Sequence, residues 1–116
     1  MKHIENPLIP VGQLYNPVKD LIEDSAWGYH ARGCARCAES KWDEAIADFE
    51  KAKMIDPEYA YVYWDLAITY QSRDKHRALQ EFEQAAILFA KQDNQEMTDA
   101  CEREASELRQ ALAPEQ

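Results

Sequence analysis

The chain has 116 residues, room for one domain with a modest core. Hydrophobic residues make up 46% and charged residues 30%, a globular rather than disordered balance. With 22 acidic against 13 basic side chains the net charge is −9, a poor match for phosphate backbones or anionic bilayers, so neither nucleic acid nor a membrane is an expected partner.

Only three glycines occur, and long stretches are rich in Ala, Glu, Lys, Gln and Leu, so the expected class is all-α. The start, Met1-Lys2-His3-Ile4-Glu5-Asn6-Pro7, lacks the apolar core of a signal peptide. Three cysteines form no disulfide-framework spacing, so a reducing cytoplasm is the expected location.

In chain order, residues 1–16 carry Pro7, Pro10 and Gly12 among Ile4, Leu8, Ile9, Val11, Leu14 and Tyr15, which predicts an extended segment with apolar side chains to cover. Asn16-Pro17 then reads as an N-cap followed by proline at the first helical position, opening a lead helix with Val18, Leu21 and Ile22 on one face. That helix either stops near Asp24-Ser25, with Ser25 capping a new one, or runs on. The apolar stripe 18, 22, 26, 29, 33 keeps its phase and favours a continuous or merely kinked helix.

From Ala26 to Pro57 the pattern is helix, turn at Ser40-Lys41, helix. Ala45, Phe49 and Ala52 lie on one face of the second helix, and small Gly33 on the first lets the two backbones approach. Asp56-Pro57 ends the unit, with Asp56 as a cap and Pro57 at the first position of the next helix. A second copy follows: Ala60, Tyr63, Leu66, Ala67 and Tyr70 on one helix, a turn over 73–76 with Asp74 as cap, then Ala78, Phe82 and Ala85 on another. The triplet Ala45, Phe49, Ala52 thus recurs at an offset of 33 residues. A turn at Lys91-Gln92-Asp93-Asn94 leads to a last helix over about 95–112, with Met97, Cys101, Ala105 (or Glu104 beside it), Leu108 and Leu112 on its apolar face and charged residues on the other.

Two in-phase copies of this small–aromatic–small code resemble the tetratricopeptide repeat (TPR) family, whose helix-turn-helix units have a period of about 34 residues. The resemblance implies a TPR-like right-handed superhelix of antiparallel helix pairs. Residues 1–16 would form an extended segment and 17–116 a single domain, with repeats over about 26–57 and 58–91 between a lead helix and a capping helix. Arg32 and Arg36 depart from the pattern, standing where the family usually has leucine and tyrosine.

The resemblance also implies a concave groove lined by the first helix of each repeat. Carried over position by position, its lining is Trp27, His30, Cys34, Cys37 and Ala38, then Tyr61, Trp64, Ile68, Gln71 and Ser72. Trp and Tyr give large contact areas at small entropic cost, so this face is expected to take a peptide or helix of a protein partner. The clamp by which some relatives hold acidic chaperone tails is not expected, because its places hold His30, Cys34 and Asp65.

His30, Cys34 and Cys37 share one helical stripe, and thiolate and imidazole are zinc ligands. Structural Cys-x-x-Cys sites usually sit on turns and no fourth ligand is apparent, so neither metal nor other cofactor is expected. No phosphate loop or nucleophile motif occurs, so an enzyme is not expected. The expected function is a non-catalytic interaction module, adaptor or co-chaperone-like. The alternative is a self-associating module, such as a homodimer, whose groove is covered by residues 1–16 or by a second copy.

Overall fold

The computed structural model describes residues 25–114. The expected extended segment 1–16 and nearly all of the expected lead helix fall outside the described residues. Five helices occur among the described residues: α1 (Ala26–Ala38), α2 (Trp42–Ile55), α3 (Ala60–Tyr70), α4 (Lys75–Lys91) and α5 (Gln95–Leu112). They pack as sequential antiparallel pairs, so the described residues are all-α, an arrangement consistent with TPR-like helical repeats.

Local chemistry places the helix ends. Ser25 is extended (φ −97°, ψ 165°) and its hydroxyl accepts from the Gly28 N–H at 3.0 Å. A helix therefore begins at Ala26. The expectation of an uninterrupted lead helix through this point is corrected, because a satisfied cap outweighs continuity of the apolar stripe. Ser40 turns the chain with φ 60°, and the N–H groups of Glu39, Ser40 and Lys41 close onto the last carbonyls of α1. Asp74 caps α4 as predicted, accepting from Arg77 N at 3.1 Å, and Asn94 caps α5 after Asp93 at φ 59°. At the middle junction the outcome differs from expectation. Pro57 lies in a turn, not at the start of α3, and Asp56 accepts from Glu58 N while Tyr63 Oη donates to the Pro57 carbonyl at 2.6 Å.

The core forms where the pairs meet. Gly33 faces Phe49 so closely that a Cβ there would stand 2.5 Å from a ring carbon. Ala45, Phe49 and Ala52 pack with Val62 and Leu66 of α3. The other sides of α3 send Ala67 to Ala78, Phe82, Ala105 and Leu108, and Ala60 with Tyr63 to Ala85, Phe89 and Cys101. One short helix thus serves three clusters, and this is why its sequence is apolar nearly all round. Each buried Phe contributes about 1.5–3 kcal/mol by leaving water.

The two arginines that break the repeat pattern have a partner. Asp48 is buried, and it accepts from Arg32 Nε at 3.1 Å, Arg32 Nη2 at 2.9 Å and Arg36 Nε at 3.0 Å. Burial pushes the Asp48 carboxyl up, but the hydrogen bonds and charges of Arg32 and Arg36 outweigh it and hold the group below the ordinary aspartate value. Their departure from leucine and tyrosine therefore keeps α1 on α2 by a different chemistry. No helix among the described residues is long and apolar enough to cross a membrane.

Candidate functional site

Helices α1 and α3 pack beside one another, with His30 and Cys37 of α1 meeting Asp65 and Thr69 of α3. Trp27, Tyr61 and Ile68 are 56%, 45% and 43% exposed, large apolar side chains that the core leaves in water. Tyr61 leans its ring edge-on to Phe89 at 4.8 Å, which fixes its direction. Ile68 joins Cys37, Ala38, Trp42, Thr69 and Ser72 around a cleft of about 390 Å³.

The remaining predicted residues have other work. Trp64 is half-buried, edge-on to Phe82 at 5.3 Å and packed against the core. Cys37 is half-buried beside the first cluster, with Sγ 3.5 Å from Thr69 Oγ1. Gln71 donates to Glu104 at 2.9 Å, a link from α3 to α5.

His30 and Cys34, one turn apart on α1, meet Asp65 of α3. His30 Nε2 lies 2.5 Å from Asp65 Oδ2, and Nδ1 lies 2.8 Å from the Tyr59 hydroxyl. An ionised carboxylate can only accept, so Nε2 carries the proton and the Tyr59 O–H donates to Nδ1 when the ring is neutral. Burial first, then the neighbouring Cys34, Asp65 and Asp56, push the Tyr59 phenol up, which keeps that proton in place. The ring edge of Tyr59, 5.0 Å away between centroids, holds the imidazole plane.

Cys34 Sγ stands 3.7 Å from both His30 Nε2 and Asp65 Oδ2. Burial and the carboxylate of Asp65 push its thiol up to about 11. A thiol so placed is protonated at neutral pH. The arrangement lacks the electropositive surroundings that make a cysteine nucleophilic.

Repeat position groups His30, Cys34 and Asp65 at the clamp places, but it gives no sign of the Tyr59 side of this cluster. Asp65 also stands out as the single charged residue of the run Ala60–Tyr70. Trp42, which walls the cleft from the start of α2, gave no such signal, because a tryptophan at a helix start is equally explained by packing.

A family model described as TPR repeat matches residues 33–73, from Gly33 in α1 through α2 and α3 to Arg73. No curated protein matches the chain.

Proposed function

We propose, for a chain whose residues 33–73 form a tetratricopeptide repeat, that the face shared by α1 and α3 binds an extended peptide or a helix of a partner protein. TPR domains are generally protein-interaction modules, and this supports the class of function but names no partner. The observation that carries the reading is that Trp27 of α1 and Tyr61 and Ile68 of α3 are large apolar side chains left exposed, with Ile68 lining the cleft walled by Trp42. Tyr61, already oriented by Phe89, loses little freedom on binding, which suits it to act as an anchor. Asp65 on the same face is already occupied by His30, and its negative charge disfavours a partner that would enter with a carboxylate. The protein then acts as an adaptor.

The test uses Trp27→Ala and Ile68→Ser, chosen because neither side chain is buried in the core. Trp64→Ala is unsuitable, since the Trp64 ring packs on Phe82. Tagged wild-type protein and the double variant are compared for partner capture, with melting temperature as the control for folding. Loss of capture at unchanged melting supports the reading, and equal capture by both proteins rejects it. Sedimentation over a range of concentrations separates a foreign partner from a second copy of the chain.

A further inference from the structure

We propose that His30, Cys34 and Asp65 form a binding site for a zinc ion that links α1 to α3. The three residues offer an imidazole nitrogen, a thiol sulfur and a carboxylate oxygen, all within 4.8 Å of one another. With zinc bonds of about 2.0–2.3 Å, two ligands of a tetrahedral site are about 3.6 Å apart when one is sulfur and about 3.4 Å apart for nitrogen and oxygen. Both sulfur edges here are already 3.7 Å. The nitrogen–oxygen edge is 2.5 Å because the imidazole and carboxylate hydrogen-bond to each other. Opening it by about 0.9 Å towards the zinc value is a small rotation of the Asp65 side chain.

Three further features fit this ion. Binding zinc through Nε2 shifts the imidazole proton from Nε2 to Nδ1, where N–H then donates to the Tyr59 oxygen 2.8 Å away as that hydroxyl turns, the outer contact that orients a ligating imidazole. His30 and Cys34 are spaced to share one helical stripe, and Asp65 comes from a separate backbone, so the triangle is set by packed helices rather than a loop. Zinc binding takes up the thiolate of Cys34, whose proton leaves to solvent, and the carboxylate of Asp65. Two negative ligands then balance the doubly charged ion. Calcium or magnesium is a poor fit, since each demands an oxygen-rich shell and this triangle holds one oxygen donor residue. Cys34 is exposed, so the fourth position faces solvent and is filled by water.

The experiment uses the full chain stripped of metal with a chelator and titrated with Co(II), which reports a thiolate bond by a ligand-to-metal absorption band. The expected result is saturation at one equivalent, reversal by Zn(II), and a zinc-dependent rise in melting temperature. Cys34→Ser is expected to abolish the thiolate band and the melting shift. His30→Gln and Asp65→Asn are expected to weaken binding at least tenfold, and Cys37→Ser and Cys101→Ser to leave it unchanged. Circular dichroism of each metal-free variant establishes that it is folded. Absence of saturable binding, a thiolate band that survives Cys34→Ser, or a band lost with Cys37→Ser overturns the proposal.

Discussion

Glu81 occupies in α4 the place that Asp48 holds in α2, 33 residues earlier, and both carboxylates are buried beneath paired cations, at 6% and 4% exposure. Asp48 is held from the preceding helix by Arg32 and Arg36. Glu81 is held by Lys53 Nζ at 3.1 Å from α2 and by Arg77 Nε at 2.9 Å from its own helix. The cations also lie over aromatic rings, Arg32 on Tyr29, Lys53 on Tyr63 and Arg77 on Tyr70, each 5.1–5.2 Å from the centroid. Among the described residues no buried side-chain nitrogen or oxygen lacks a partner. Asp48→Ala and Glu81→Ala are each expected to lower stability by about 1–3 kcal/mol, because the carboxylate is buried while its cations can return to water. Urea denaturation measures this. A loss no larger than that of an exposed control such as Glu96→Ala would refute the role.

The same carboxylate sets a dependence on pH. The folded Asp48 has a lowered value, so its contribution is present above the unfolded aspartate value of about 3.9 and fades as pH falls through the lower folded value. Denaturation midpoints measured between about pH 6 and 2 are expected to fall on the acid side. In Asp48→Asn part of that acid-side slope is expected to disappear. An identical slope in both proteins would show that other carboxylates carry it.

Gly33 is fixed by Phe49 rather than by backbone conformation. Cβ in Gly33→Ala would meet ring carbons at 2.5, 2.7 and 3.0 Å, and Phe49 is only 1% exposed, so the ring has nowhere to swing. The expected cost is about 1–3 kcal/mol from overpacking. In the second pair Ala67 occupies this place, so Ala67→Gly should lose the methyl contact and lower stability instead of raising it. A double variant, Gly33→Ala with Phe49→Leu, is expected to lose less than the sum of its parts, since the smaller side chain makes room. Calorimetry of the four proteins decides it, and simple additivity would remove the contact from the explanation.

How far these features could be read in advance depends on their range. The helix pairs, the small–aromatic–small packing and the Asp74 cap are local or periodic, and periodicity is visible in a single chain. Ser25 was ambiguous because the apolar stripe continues through it. Only the observed hydrogen bond to Gly28 separates a cap from a helical serine. Pro57 was misplaced because proline suits a turn as well as a first helical position. Register selects the positions on α1 and α3 expected to line a groove, but it does not say which of those side chains remain in water. Trp64 is drawn down by Phe82 and Gln71 by Glu104, contacts across helices that no spacing encodes. Arg32 and Arg36 stood out only as departures, and their reason, Asp48, lies across the turn.

Cys34 offers the most direct check on the electrostatics of the shared face. Its thiol is pushed up to about 11 by burial, and then by the negative charge and hydrogen bond of Asp65. In metal-free protein carrying Cys37→Ser, alkylation of Cys34 is therefore expected to be slow at pH 7 and to rise with pH well beyond the ordinary thiol range. Cys101, also pushed up to about 11 and wholly buried, contributes little to the rate. Removing the charge with Asp65→Asn leaves burial in place and takes away the electrostatic part, so the midpoint of the alkylation profile should move down without reaching that of a free thiol. His30→Gln keeps the carboxylate but frees it from the imidazole, so the midpoint should stay high. A profile unmoved by Asp65→Asn would mean that burial alone governs the thiol and that Asp65 is directed wholly at His30.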